Sequence, residues 1–247
     1  MTLWRDNAKS LRDSIRYLSS LGCESVKIAP ISNTGAWREG GYQKEHGLTT
    51  EETLQFLYDY LEDFYRDLPP IRVQIAGCFS ADGRKPDLFS IPLIMVARNP
   101  ENSCMCGHAR NVLYITPEGR ALPCMPIANR DELEKEFPLI REIGVAACLS
   151  DSFYMKLITT KAKEVLSHNG KCRDCGWRRL CLGGCRAAAL ECHPGDIMGV
   201  DESSCEIFRK GWLQRIERRV RELRPSAVLQ ERTSLRELGR EAELQAE

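Results

Sequence analysis

Apolar residues in the first hundred positions recur with a helical period and a strand period in turn. Over residues 7–21 they are spaced three and four apart, and the same spacing returns over residues 49–68 after a capping box that starts at Thr49. Residues 24–29 and 71–75 instead alternate polar and apolar side chains. The order helix, strand, helix, strand predicts an α/β fold with parallel strands joined by crossover helices.

Two parallel strands do not make a stable sheet, because a parallel sheet needs neighbours at its edges and cover on both faces. We therefore expect residues 1–98 to be the last strands and helices of a larger α/β barrel or sheet. Its earlier strands would lie on another chain or in a segment encoded before Met1.

From about residue 99 to Cys205 the periodicity weakens, and Cys, Gly and Arg become frequent. Within this region residues 112–124 predict a β-hairpin with Gly119 in its turn, and residues 152–166 predict one helix. With so little apolar periodicity, we expect bound metal to do the work of a hydrophobic core here.

After Cys205 the apolar spacing predicts one helix that ends at Pro225, followed by a charged tail over residues 225–247. The helix carries many Arg side chains, but Glu residues alternate with them. Such a mixture is typical of a solvated helix face, so we do not expect nucleic acid as a partner.

Two features of the composition limit the possible functions: the net charge and the number of cysteines. The 247 residues contain 35 basic and 35 acidic side chains, which excludes a protein that is drawn to nucleic acid or to a membrane by its overall field. No stretch has the length and apolarity of a signal peptide or a membrane span, so we expect a cytoplasmic protein. The chain has 12 Cys, and in a reducing compartment clustered Cys favour metal binding over disulfides.

The cysteines are concentrated in one constellation with fixed spacing. The central run is C-x2-C-x5-C-x3-C, and further Cys precede and follow it; the eight residues are Cys104, Cys106, Cys124, Cys172, Cys175, Cys181, Cys185 and Cys205. Zinc and iron-sulfur clusters both take four thiolates, so the count leaves both open. Thiols crowded into one glycine-rich loop favour the iron-sulfur cluster. Arg residues such as Arg186 flank them, and each is either a counter-charge to a cluster or part of an ordinary solvated surface.

The full string C-x12-G-x4-C, C-x2-C-x5-C-x3-C and a final C resembles the seven-cysteine SPASM motif. SPASM is the auxiliary iron-sulfur domain that follows the barrel of many radical S-adenosylmethionine (radical SAM) enzymes that modify peptides and proteins. The resemblance implies a partial radical SAM (β/α) barrel over residues 1–98, a SPASM domain with its C-terminal helix over residues 99–224, and the charged tail beyond.

The same resemblance implies two 4Fe-4S clusters with interlaced ligands. One cluster would be held by Cys172, Cys175, Cys181 and Cys205. The other would be held by Cys106, Cys124 and Cys185, with Cys104 as the fourth ligand, a position that varies among the family's members. The remaining thiols are interpreted as buried or idle residues rather than ligands; these are Cys23, Cys78, Cys148 and Cys192.

One departure from the family is important. Radical chemistry in these enzymes uses a C-x3-C-x2-C loop that binds S-adenosylmethionine through an open iron, and this sequence has no such triplet. We therefore expect the chain alone not to cleave S-adenosylmethionine, with the missing half supplied by a partner polypeptide or an upstream segment, if at all.

Three hypotheses follow for the function. The first is the iron-sulfur portion of a maturase that acts on a ribosomally made peptide or on a protein such as a sulfatase, with clusters that relay electrons or bind substrate. The second is a non-catalytic, peptide-binding module stabilised by iron-sulfur or zinc. The third is an inactive relic.

Overall fold

The structure of the protein is a computed structural model. It describes residues 1–31, 33, 35–75, 79–91, 100–104, 112–128, 133, 135–150 and 152–230. These residues form two compact units. The first comprises Met1–Ser32, Gly40–Met95 and the chain from Cys205 onward, and the second comprises Asn33–Glu39 and Val96–Ser204.

The structure contains β-strands and α-helices, together with short 3-10 helices at Pro100–Asn102 and Met125–Ile127. The strands are β1 Thr2–Leu3, β2 Ser25–Pro30, β3 Arg72–Ile75, β4 Phe79–Asp82, β5 Leu88–Ser90, β6 Tyr114–Ile115, β7 Ala121–Leu122 and β8 Val228–Leu229. The helices are α1 Arg5–Ala8, α2 Leu11–Ser20, α3 Gly35–Glu39, α4 Gln43–His46, α5 Thr50–Asp67, α6 Ile140–Cys148, α7 Phe153–Thr159, α8 Ala162–His168, α9 Gly170–Arg173, α10 Arg178–Cys181, α11 Arg186–Cys192, α12 Glu202–Arg209 and α13 Trp212–Leu223.

The first unit is built on a mixed six-stranded sheet in the order β1-β2-β3-β4-β5-β8. The pairs β1–β2 and β2–β3 are parallel, with Val26 opposite Val73 and Ile28 opposite Ile75. These side chains are buried, as the alternating pattern requires. The prediction of an α/β fold with parallel strands and crossover helices is therefore confirmed for this part of the chain.

The pairs β3–β4 and β4–β5 are antiparallel, and the sequence pattern did not predict them. The short strands β4 and β5 bury the side chains of Phe79, Ala81 and Phe89. After them, β8 pairs with β5 in parallel. The beginning of the tail predicted over residues 225–247 is thus part of the sheet, whereas residues 231–247 lie outside the described residues.

The helices of the first unit bury the apolar faces that the sequence predicted. Helix α5 begins at the capping box, where Thr49 accepts from the Glu52 amide and Glu52 accepts from the Thr49 amide, as predicted. Trp212 of α13 packs against Leu54 of α5, with the Arg215 guanidinium 3.8 Å from the centre of a Trp212 ring. The single helix predicted after Cys205 is wrong, because Gly211, with φ +72°, separates α12 from α13.

The second unit has a hydrophobic core of its own. The predicted hairpin is present as antiparallel β6 and β7, and Gly119 has φ +89° in its turn. Leu122 of this hairpin packs in a buried cluster with side chains that include Phe137, Tyr154 and Leu190. The expectation that metal replaces a core here is therefore wrong. The helix predicted over residues 152–166 is also wrong as one helix, since α7 ends at Thr159 and α8 begins at Ala162.

The compact units do not coincide with the domains that the family resemblance implied, whose boundaries lie at residues 98 and 224. The compact units follow internal contacts and place Cys205 and the residues after it with the first unit. The domain boundaries implied by the resemblance remain a prediction. Among the described residues, no helix is both long enough and apolar enough to cross a membrane.

An ion cluster joins α2 to the end of α5. The Arg12 guanidinium donates to both carboxylate oxygens of Asp67 at 2.7 Å, and Arg16 donates to one of them at 2.9 Å. These hydrogen bonds, that of Arg12 first, hold the pKa of Asp67 at about 2 instead of 3.8. The Asp67 side chain is only 12% exposed, so solvent screens the cluster weakly.

We predict that Asp67→Asn lowers the free energy of unfolding by roughly 2 kcal/mol at pH 7. Because the pKa is lowered in the folded state, this stabilisation is complete above the unfolded value and is lost as the pH falls from about 4 to about 2. Urea unfolding at several pH values measures it. The control is Asp13→Asn, because Asp13 is exposed. The prediction would be contradicted if the difference in unfolding free energy between Asp67→Asn and wild type stayed constant down to pH 3.

Candidate metal centre

The structure describes seven of the eight cysteines that the sequence selected. Cys172 lies in α9, Cys175 follows that helix, Cys181 ends α10 and Cys185 immediately precedes α11. Cys106 lies outside the described residues. Residues 172–185, called the cysteine loop below, all belong to the second unit, whereas Cys205 lies in α12 and is assigned to the first unit.

Three successive residues with positive φ connect Cys181 to Cys185. Leu182, Gly183 and Gly184 have φ values of +53°, +84° and +75°. A Cβ atom on Gly183 would lie 2.8 Å from Cγ1 of Val165, and one on Gly184 would collide with the carboxylate of Asp201. The spacing of Cys181 and Cys185 therefore depends on a tight backbone turn that requires both glycines.

The buried carboxylate of Asp201 fixes the end of this turn. One Asp201 oxygen accepts from the Cys185 amide at 2.8 Å and from the Ser204 hydroxyl at 2.6 Å, and the other accepts from the Ser204 amide at 3.0 Å. Asp201 is only 3% exposed and precedes α12, where it acts as the N-terminal cap. It thus ties the backbone of Cys185 to the start of the helix that contains Cys205.

Sequence reasoning did not select Asp201. It lies 16 residues beyond Cys185, and no spacing rule links an acidic residue at that distance to the loop. The available signal was an Asp followed three residues later by Ser204 at the start of an amphipathic helix, which is typical of an N-cap.

Arg186 is buried beside the cysteine loop and is only 5% exposed. Its guanidinium donates to the carbonyl oxygens of Ile197 at 3.0 Å and Gly199 at 2.8 Å, and also to that of Gly183. Its Nε is buried, and no residue that the structure describes accepts a hydrogen bond from it. Burial lowers the pKa of Arg186, while Asp201 and nearby thiolates raise it; these thiolates are Cys185, Cys172 and Cys181.

The thiols of the loop influence one another as well. Burial raises the pKa of Cys172, and the neighbouring Cys175 raises it further, whereas the positive charges of Arg186 and Lys171 oppose the increase. Lys171 also forms an ion pair with Glu202 at 2.5 Å. Within the loop the Cys175 amide donates to the Cys172 carbonyl at 3.2 Å, and Arg186 donates to the Gly183 carbonyl between Cys181 and Cys185.

Two of the cysteines predicted as ligands upstream of the loop have different surroundings. Lys161 donates from Nζ to Sγ of Cys104 at 3.3 Å, and the two residues form an isolated antiparallel β-bridge. Cys124 packs, partly buried, against the core of the second unit. Among the thiols not selected as ligands, Cys148 is buried, which raises its pKa, and Cys192 is exposed.

In the part of the chain that the structure describes, no group of three or more Cys, His, Asp or Glu side chains is arranged to hold a metal ion. Ligands of a single ion share one centre, whereas each thiolate of a 4Fe-4S cubane binds its own iron and stands further from the others. The donor chemistry fits a cubane, because four soft thiols lie within one short loop beside the buried Arg186. The complete ligand sets stay a prediction.

We predict that Gly184→Ala destabilises the second unit by at least about 2 kcal/mol, since a left-handed backbone alone costs about 1–2 kcal/mol for a residue with a Cβ. The added methyl group would also displace Asp201, which is held by three hydrogen bonds. Limited proteolysis in increasing urea measures the change.

Gly176→Ala is the matched control, because it lies in the same loop and has open space around its Cβ position. Equal protease resistance of the two variants would show that the turn does not require Gly184.

No model of a protein family matches the chain. PqqA peptide cyclase of Granulibacter bethesdensis is 27% identical to it over 205 residues, which cover 82% of the chain and 47% of the relative. PqqA peptide cyclase of Bradyrhizobium diazoefficiens is 25% identical over 200 residues, covering 80% and 46%. A cysteine-type anaerobic sulfatase-maturating enzyme of Clostridium novyi is 26% identical over 127 residues, covering 50% and 30%.

The chain thus spans at most about half the length of these curated relatives. The relatives are radical SAM enzymes that modify peptides or proteins, and the partial coverage fits a C-terminal part. The comparisons therefore confirm the resemblance predicted from the cysteine spacing: the chain is similar to the C-terminal part of radical SAM enzymes that modify peptides or proteins.

Proposed function

We propose that the chain is the auxiliary iron-sulfur portion, a SPASM domain with part of a barrel, of a radical SAM enzyme that modifies a peptide or protein. The observation that carries the proposal is the cysteine loop, which contains four thiols and in which the buried Arg186 donates to the Gly183 carbonyl between Cys181 and Cys185. A relative named as a peptide cyclase and another named as a sulfatase-maturating enzyme support a peptide or protein substrate.

The proposed clusters keep the ligands that the resemblance implied. Cys172, Cys175, Cys181 and Cys205 hold one 4Fe-4S cluster, and Cys104, Cys106, Cys124 and Cys185 hold the other. When bound, such a cluster takes up and releases single electrons, and it serves in electron relay or in binding the substrate.

The chain's own residues prepare these ligands. Asp201 fixes the Cys185 backbone, and the glycine turn sets the separation of Cys181 from Cys185. At Cys104 the ammonium group of Lys161 donates to the sulfur at 3.3 Å, so a positive charge lies beside the proposed fourth ligand of this cluster.

The C-x3-C-x2-C triplet is absent from residues 1–247. The proposal therefore assigns the cleavage of S-adenosylmethionine to a polypeptide segment other than this one. Such a segment would add strands to the partial barrel and bring the radical to the peptide that the auxiliary clusters serve.

We predict that the anaerobically reconstituted chain binds about eight iron and about eight acid-labile sulfide. Cys175→Ala and Cys124→Ala each remove one ligand from a different proposed cluster, so each should lose about half of the iron. Iron and sulfide assays on the purified proteins measure both results.

Cys192→Ala is the control, because that thiol is exposed and is not among the proposed ligands. Full iron content in both ligand variants would contradict the assignment. Bound zinc without labile sulfide would contradict iron-sulfur chemistry and favour the non-catalytic, peptide-binding module instead.

We also predict that the reconstituted chain does not cleave S-adenosylmethionine, because cleavage requires an iron left open by a three-cysteine loop. With dithionite and S-adenosylmethionine, 5'-deoxyadenosine should stay at the level of the no-protein control. A relative that contains the triplet serves as the positive control. Turnover by the pure chain would mean that another set of cysteines forms the open iron.

A further inference from the structure

Arg186 carries a buried positive charge without a direct ionic partner. The guanidinium is within hydrogen-bond distance of three carbonyl oxygens, which are neutral acceptors. No ion pair among the described residues includes Arg186, and its Nε has no hydrogen-bond partner. Burying an unpaired charge is unfavourable, so a folded protein that does so normally provides compensating negative charge nearby.

Asp201 and the thiols of the loop are the groups that favour the charged form of Arg186, Asp201 first. The Asp201 carboxylate also accepts three hydrogen bonds, from Cys185 and from Ser204. The guanidinium donates to the carbonyl of Gly183, in the turn between Cys181 and Cys185, so the positive charge lies at the turn that connects two of the proposed ligands. The thiols of the loop add negative charge when they are thiolates, as they are when bound to metal.

We propose that Arg186 is the counter-charge of the iron-sulfur centre that the cysteine loop binds, and that it raises the reduction potential of that centre. The inference rests on the proposed function. Arg186 acts through electrostatics and through its position and does not bind iron itself.

The hydrogen bonds explain why this cation can act from a fixed position. The carbonyls of Ile197 and Gly199 hold one guanidinium nitrogen, and the carbonyl of Gly183 holds the other terminal one. Gly183 is itself part of the left-handed turn between two cysteines. The charge is therefore linked to the geometry of the thiols, and it remains positive because a guanidinium does not lose its proton in proteins.

The redox step is a one-electron reduction of the cluster by a low-potential electron donor, with no bond made or broken in the protein. The added electron makes an already anionic cluster more negative. A fixed positive charge in a region of low dielectric stabilises the reduced form more than the oxidised form. Removal of that charge should therefore make the potential more negative.

The test is a dithionite titration, followed by electron paramagnetic resonance, of the full reconstituted chain and of three variants. Arg186→Gln removes the buried charge, and Arg186→Lys keeps a positive charge. Arg179→Gln removes one charge from the same loop, but Arg179 is exposed, so water screens it.

We expect Arg186→Gln to shift at least one midpoint negative by about 59 mV or more, which is a tenfold lower ratio of reduced to oxidised cluster for a one-electron couple. Arg179→Gln should shift it much less, and Arg186→Lys should restore a potential close to that of wild type. Equal midpoints in Arg186→Gln and Arg179→Gln would overturn the inference.

A purely structural role would give a different result. If Arg186→Gln does not assemble a cluster, Arg186→Lys becomes the deciding variant. A cluster at the wild-type potential in Arg186→Lys supports the role of Arg186 as a counter-charge. Loss of iron in both variants overturns that role. A wild-type chain that binds no iron and no labile sulfide would refute the proposed function itself, an outcome distinct from either.

Discussion

The candidate centre depends on holding several thiolates close together, and like charges at short range repel one another. A buried cation at the turn between Cys181 and Cys185 opposes this repulsion, since Arg186 donates to the Gly183 carbonyl there. The buried carboxylate of Asp201 has a different role, because it fixes the backbone at Cys185. The glycines of the turn are needed because no larger residue fits between these groups.

The two compact units obtain their stability in different ways. In the first, long amphipathic helices cover a sheet, and ion pairs such as Arg12–Asp67 join the helices at their ends. In the second, three helices of seven to nine residues, α6, α7 and α11, and a two-stranded hairpin pack around an apolar cluster. The cysteine loop lies in the second unit, and α11, which follows Cys185, contributes Ala187 and Leu190 to this cluster.

Local signals predicted the elements whose stabilising interactions lie close together in the sequence. The Thr49 capping box, the alternation around Val73 and the turn at Gly119 are of this kind. The sequence did not predict β5, which has only three residues, or the antiparallel pairing of β4, or the contact of Asp201 with Cys185, which lies 16 residues away. It placed the cysteines of the loop from spacing, but the charge balance around Arg186 required three-dimensional contacts.

The sheet of the first unit ends in two strands from opposite ends of the described chain. β1, at residues 2–3, forms one edge, and β8, at residues 228–229, forms the other, with every strand between them paired on both sides. Among the strands that the structure describes, another polypeptide would therefore extend this sheet beside one of these two-residue edges. Such short edges offer few backbone groups for pairing, so a stable addition would also need contacts from side chains.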